Sequence, residues 1–328
     1  MIELPAKLSN YVPGRPATGS VFHYTSSVGL LNMVKSSKVW ASEAFSLNDL
    51  AEVRQGWEAI NRVLATMPES ETRELLLSHA QTPLNGSHEV FVLCASTEGD
   101  DANQWRLYAD AARGYVMELD SSVRLTAVSE FPARERPAPK PGKVKFDWSF
   151  VAEVALVTPW LHVIYKDDEV LEALEQLSFI VDGEHSYLET VAASGDEEAY
   201  NVERDRIRDE SYGALASLAN LIKSPGFIGE NEVRIVATFV YNGDQIGYRA
   251  AANGIVGFAT LTGAPEGHNS RVLRPVDKET PVPTFLPLKS VGTGPLLPEE
   301  HRNTLRGFLD RYTEAKKVKI THSKVQLR

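Results

Sequence analysis

Cysteine is nearly absent from this chain: Cys94 stands alone among 328 residues. An intramolecular disulfide is therefore excluded, and no Cys/His grouping has zinc-site spacing. No metal is expected. Long apolar runs are missing as well. None reaches the roughly 20 residues a membrane-spanning helix needs. The opening MIELPAKLSNYVPGRP lacks the apolar core of a secretory signal. No membrane association is expected, and the reducing cytoplasm is the default location. The chain also lacks a basic excess. Its formal net charge is −10, which argues against general nucleic-acid binding, because phosphates call for a cationic surface. Gly292 and Gly294 are not followed by the Lys-Ser/Thr of a phosphate loop. Neither Ser26 nor Ser96 sits in a nucleophile elbow.

What is present suits a globular protein with a sizeable core: 43% hydrophobic and 24% charged residues. The stretch Glu89–Asp120 organises the reading. Val90 to Ala95 is an apolar run of strand length, and the acidic loop Gly99-Asp100-Asp101 follows. Ala102, Trp105 and Tyr108 then fall near helical spacing, Arg113-Gly114 breaks the helix, and Tyr115, Val116, Met117 and Leu119 form a second strand. Gln104, Trp105, Arg106 and Tyr108 are thus placed at the ends of two strands, a common setting for a site. The structural alternative is that Trp105 and Tyr108 are core aromatics. Asp100 and Asp101 read as a helix N-cap and a first-turn acid rather than as metal ligands.

Around this unit, Val21 to Tyr24 is a strand candidate, and Thr25, Ser26 and Ser27 are possible caps for a helix carrying Leu30, Leu31 and Val34. Ser46 to Asp49 is a turn or cap. Leu50, Val53, Trp57, Ile60 and Leu64 then mark an amphipathic helix. Val123–Val128, Phe150–Val157, Trp160–Tyr165, Arg271–Val276 and Thr284–Val291 read as extended. Asp167–Ala193 and Glu197–Ile222 read as an antiparallel helical pair. Val233 to Val240 is the most strand-like run of the C-terminal half, with Asn242-Gly243 a turn behind it. Gly292 to Pro295 reads as a turn, Pro298 opens a helix, and Val318 to Thr321 is a last strand. The interruptions are too irregular for strict β-α-β alternation. The expectation is one α+β domain over residues 1–328. It would have a central, mostly antiparallel sheet flanked by helices, a helical insertion at about 167–222 and a proline-rich loop at about 131–143.

Several of these segments, taken in order, resemble the bacterial domain-of-unknown-function family numbered 2971. They are Phe22 to Ser26 with Leu30-Leu31; Ser46 to Asp49 and Glu52; Val92 to Ser96; Gln104-Trp105, Tyr108-Ala109 and Gly114; Phe227, Glu230, Glu232 and Arg234 in the spacing F-x-x-E-x-E-x-R; Gly292 to Pro295; and Val318 to Ile320. The opening also looks like that of ADP-ribosyltransferase-fold proteins, which begin with a strand carrying His and a helix, and close their site with Glu on a later strand. Here His23, Thr25, Leu30, Val34 and Glu232 match those places, and Glu230 competes with Glu232. Such a resemblance implies NAD as a substrate and a protein or nucleic-acid acceptor, in a toxin or anti-phage setting. It implies His23, Glu230 and Glu232 as catalytic residues. Tyr24, Thr25, Gln104, Trp105, Arg106, Tyr108 and Arg234 would bind substrate. A carboxylate near the ribose would stabilise the oxocarbenium-like state. His23 would hold a ribose hydroxyl, Tyr108 would stack on nicotinamide, and Arg106, Arg113 and Arg234 are the nearest donors for a pyrophosphate.

Each of these readings has a structural counterpart. His23 reads equally as a strand histidine bonded to a carbonyl. Glu232 and Arg234, two apart on one strand face, read as an ion pair, with Asp49 or Arg106 as a further partner. A non-catalytic nucleotide-sensing or interaction module is the alternative function. Both readings share one geometric expectation, because polar groups in apolar strands must satisfy each other or face a wet cleft. His23, Trp105, Arg106, Tyr108, Glu232 and Arg234 are therefore expected to line a single cleft.

Overall fold

The computed structural model describes residues 7–46, 50–81, 88–129, 155–240, 246–251, 254–265, 272–275, 280–313 and 318–326. Strand β1 (Ser20–Thr25) runs into Ser26, whose hydroxyl accepts from the Gly29 amide and caps helix α1 (Ser27–Ser36). Strand β2 (Val39–Glu43) follows. Helix α2 (Leu50–Leu64) buries the stripe Val53, Trp57, Ile60 and Leu64. After α3 (Glu71–Gln81) and β3 (His88–Ser96), α4 (Ala102–Tyr108) is capped by Asp101, whose carboxylate accepts from the amides of Asn103 and Gln104. Asp100 is not a first-turn acid. It precedes the cap and accepts from the Trp105 indole and the Lys324 amide.

Strands β4 (Tyr115–Asp120), β5 (Leu125–Ala127), β6 (Ala155–Val157) and β7 (Leu161–His162) come next. β5 and β7 are shorter than their sequence runs. Pro159 has no N–H to donate to a ladder, and Val128 and Ile164 keep only isolated bridges. The beginning of the Phe150–Val157 run lies outside the described residues, as do the proline-rich stretch 131–143, Leu47 to Asp49 and Asn242-Gly243. Helices α5 (Asp167–Ala193) and α6 (Glu197–Ala219) are joined by only three residues and form a helical hairpin. The second helix stops at Ala219 rather than Ile222. A short 3₁₀ turn (Pro225–Glu230) leads into β8 (Glu232–Val240), followed by β9 (Ile246–Ala251), β10 (Gly254–Gly263), β11 (Leu288–Thr293), α7 (His301–Tyr312) and β12 (Lys319–His322). Gly292 and Thr293 end β11 instead of forming a turn. Between β10 and β11, Leu273 makes an isolated bridge to Val128.

Among the described residues these strands form one sheet, antiparallel except for the β11–β12 pair. Its organiser is β3. Strand β8 pairs with it along its whole length, from Ser96 opposite Glu232 to His88 opposite Val240. A strand has two edges, so β1 and β2 must share the other one. β1 meets it only where Phe22 faces Ser96, and β2 only where Ser42 and Glu43 face Val92 and Phe91. The sheet therefore splits into two arms on that side. One runs β1–β4–β11–β12 and the other β2–β10–β5, with β9 also on β10. One core lies between the sheet and α2, α3, α5 and α6, with Trp57, Leu76, Leu174 and Leu215 at its centre. A second includes Leu30 of α1 and Leu309 of α7, and a small third one holds Tyr24, Trp105 and Val116.

Candidate functional site

The split leaves Leu93 to Ala95 of β3 facing a gap, and the gap is a cleft of about 480 Å³. β1 contributes Phe22, His23 and Tyr24; β2 contributes Trp40 and Ser42. Two larger cavities, of about 700 and 760 Å³, lie elsewhere. Size does not decide between them. The buried ionised groups gather in the 480 Å³ cleft, although Glu232 also borders the 760 Å³ one.

Period-2 alternation puts Glu232 and Arg234 on one face of β8, and they pair directly, Arg234 Nε to Glu232 Oε1 at 2.7 Å and Nη2 to Oε2 at 3.0 Å. The further partners are neither Asp49, which lies outside the described residues, nor Arg106. They are Glu52 and Lys223. Arg234 Nη2 reaches Glu52 Oε2 at 2.8 Å, and Nη1 donates to the Asn220 carbonyl at the end of α6, where the helix dipole favours a cation. Lys223 Nζ donates to Glu230 Oε2 at 2.7 Å and Glu232 Oε2 at 2.9 Å, and lies 3.3 Å from Glu52 Oε1. Three carboxylates thus surround two cations, and Lys223, Glu232 and Arg234 are all buried. Burial alone would raise the Glu232 carboxyl. Arg234 and Lys223 override it and hold Glu232 down at about 2. Conversely, burial works to lower Lys223, and Glu232, Glu230 and Glu52 raise it above its usual value. Burial and the neighbouring Glu232 push the Cys94 thiol up, so it stays protonated beside that carboxylate.

Both Glu232 oxygens are consumed by this network. Glu230 differs: one oxygen holds Lys223, and among the described residues the other has only the Tyr108 hydroxyl, at the long distance of 3.5 Å. Burial also raises Tyr108, with help from Glu230, to about 12.

On the facing wall, His23 Nδ1 meets the Cys94 carbonyl at 2.8 Å. A carbonyl only accepts, so Nδ1 carries the proton and Nε2 is an acceptor with no partner among the described residues. Burial lowers His23 below its ordinary value and keeps it neutral. The strand-histidine reading and the site reading describe two nitrogens of one ring.

Tyr24 also lines the cleft. Its hydroxyl donates to the Glu98 carbonyl and accepts from the Asp101 amide, tying β1 to the start of α4. Gln104 lines the cleft and donates to the Glu230 carbonyl at 3.3 Å. Trp105 does not line it. It is 1% exposed beneath it, edge-on to Tyr24 at 4.9 Å. Arg106 faces away, because it sits one residue beyond Trp105 on α4 and so about 100° round the helix. Thr25 is buried against Gly29 and is no part of the lining. The single-cleft expectation therefore holds for His23, Tyr108, Glu232 and Arg234 and fails for Trp105 and Arg106.

After α4, Asp110, Ala111 and Ala112 all have left-handed φ (50°, 49° and 69°). That costs an L-residue roughly 1–2 kcal/mol each. The turn is held by bonds from the Ala112 amide to the Trp105 carbonyl and from the Gly114 amide to the Ala109 carbonyl.

Sequence reasoning missed Lys223 altogether. It placed Glu52 only within a motif, and as a first-turn acid of α2 it looks like ordinary dipole compensation. The residues that deliver Glu52 are legible only in three dimensions. A Cβ on Gly56 would lie 2.0 Å from the Ala219 carbonyl oxygen, so glycine lets α2 press against the end of α6.

The split sheet and the cleft at its fork define an α+β protein with a candidate site built on a buried network of ion pairs. Residues 104–235 match the family model described as a protein of unknown function (DUF2971), and over that stretch the resemblance read from the motifs is shown. The match takes in Gln104 to Tyr108 and Glu230 to Arg234 and does not reach the His23 strand. No curated protein and no solved structure matches the chain. Among the described residues no group of His, Cys, Asp and Glu is arranged to hold a metal ion, and no helix is long and apolar enough to cross a membrane.

Proposed function

We propose that the cleft is the site of an ADP-ribosyltransferase-like enzyme. It would take NAD as substrate and modify a protein or nucleic-acid acceptor, in a toxin or anti-phage role. The observation that supports this reading is the pair Glu230 and Glu232 at the floor of the cleft, one carboxylate open and the other locked ionised. In the reaction the bond between ribose C1′ and the nicotinamide nitrogen breaks, and its electron pair leaves with nicotinamide. The acceptor's nucleophile then bonds to C1′ and loses its proton. Positive charge grows on the ribose as the bond lengthens, and a preorganised anion stabilises that state. Glu230, whose second oxygen meets only the Tyr108 hydroxyl among the described residues, would face the ribose. Glu232 is a positioning residue, because it holds Lys223 and Arg234. The His23 Nε2 lone pair fits a ribose hydroxyl, and Tyr108, 44% exposed at the cleft, fits a ring.

Incubation of the full chain with NAD and cell extract tests this, nicotinamide release being the readout. Glu230→Gln is expected to abolish release while the protein stays folded. Absence of release with any acceptor, together with no heat of NAD binding, would sink the reading.

One observation favours a module that binds without turnover. Among the described residues lining the cleft the only permanent cations are Lys223 and Arg234, and both are committed to carboxylates. Neither is free for a pyrophosphate. That module predicts ligand binding without nicotinamide release.

A further inference from the structure

We propose that the cleft selects the positively charged end of its ligand, a planar N-heterocyclic cation that carries a hydrogen-bond-donating amide, such as a pyridinium carboxamide, and not an anionic phosphate group. The inference deepens the reading above and rests on it only for the identity of the ring.

Charge is the first argument. Among the described residues, Glu52, Glu230 and Glu232 line the cleft against Lys223 and Arg234, leaving one negative charge uncompensated in a partly desolvated space. Coulomb interactions are stronger there than in water. The excess is localised. Glu52 and Glu232 have both oxygens on cations, whereas among the described residues one Glu230 oxygen has only a phenol at 3.5 Å.

Hydrogen bonding is the second argument. His23 Nε2 and the open Glu230 oxygen are both acceptors, so the ligand must supply donors. A phosphate brings only further acceptors and negative charge. Shape is the third. Tyr108 and Trp40 line the same cleft, each 44% exposed, and Trp40 has one face stacked on Phe258 with centroids 4.4 Å apart. An aromatic face attracts a cation by its quadrupole, and a desolvated instance is worth about 2 kcal/mol. Phe227 already illustrates the preference, carrying the Lys223 ammonium 4.7 Å from its ring centroid.

Calorimetric titration of the full chain separates the alternatives with three probes: 1-methylnicotinamide, a cation; nicotinamide, its neutral counterpart; and ADP-ribose, the anionic remainder of NAD. The cation is expected to bind at least tenfold more tightly than nicotinamide. Glu230→Gln, which keeps the shape, is expected to bring the two within threefold. Should Glu230→Gln fail to fold, as judged by its thermal melt, Tyr108→Leu at the exposed lip is the second variant, expected to weaken the cation more than the neutral ring. Equal affinities for the two rings in the unmodified protein, or binding of ADP-ribose with neither ring bound, overturn the inference. A retained tenfold preference without any nicotinamide release overturns the enzyme reading alone and leaves this one standing.

Discussion

Glu52 on α2 and Arg234 on β8 are 182 residues apart in sequence and meet at 2.8 Å, in a network that also holds Glu232 and Lys223. Neither charge could stay buried alone. Their meeting ties the first helix of one core to the central strands and fixes the floor of the cleft.

Removing one cation should therefore be costly. Arg234→Met is expected to lose about 3–5 kcal/mol of unfolding free energy, the magnitude for an uncompensated buried charge, because Glu232 and Glu52 both lose a partner. Urea denaturation measures it. Replacing Glu52 by Gln in the Arg234→Met background should recover part of the loss, since one orphaned charge disappears. A double variant no more stable than the single one would contradict the network's coupling.

Two groups make stability fall with acid in separate windows, because each has a folded value below its unfolded one. His79 is buried beside Ser211 and Tyr212, and burial, with Arg208 nearby, lowers it to about 4. Its folded value lies below its unfolded one, so the unfolded chain takes up the proton first. Stability is full above pH 6.5 and falls as pH drops toward 4, by about 3 kcal/mol. His79→Gln should flatten that part of the profile. Glu232, held at about 2, contributes stability that is present above its unfolded value near 4.5 and is lost as pH falls through 2. In Glu232→Gln the decline below pH 4.5 should be shallower. A stability profile that keeps its slope in either window after the matching substitution would refute the assignment.

Gly56→Ala sets helix propensity against packing. Alanine favours a helix over glycine by about 1 kcal/mol, yet its Cβ would meet the Ala219 carbonyl at 2.0 Å. Backbone cannot yield as a side chain does, so packing wins and the variant is expected to be net destabilised by about 1–3 kcal/mol. Because α2 carries Glu52, ligand affinity in the cleft should fall as well. Thermal melts and calorimetry check both, and a stabilised variant would show that α2 moves freely.

Tyr24→Phe removes one hydroxyl and strips the Glu98 carbonyl and the Asp101 amide of their partner. The expected cost is about 1–3 kcal/mol. Hydrogen exchange at α4 should rise above that in the rest of the sheet, since Asp101 is its cap. Unchanged exchange at α4 would mean that the cap is held by other contacts.

Much of this molecule is written locally. The apolar period of Leu50 to Leu64, the Asp101 cap, and the shared face of Glu232 and Arg234 all follow from spacings of 3.6 or 2 residues and from capping chemistry. So do the α+β class and the helical hairpin that follows Asp167. Lys223 has no local signal, because it reads as a cation just past a helix end, before Ser224-Pro225-Gly226. Trp105 and Tyr108 stand three apart on one short helix, and only packing under β1 buries the first and leaves the second at the cleft. The fork itself arises because β8 fills one edge of β3, which forces β1 and β2 onto the other. Periodicity states which residues share a face; which strand takes which edge is settled by long-range pairing, and it is that choice which opens the cleft and brings Glu52, Lys223 and Glu230 to its floor.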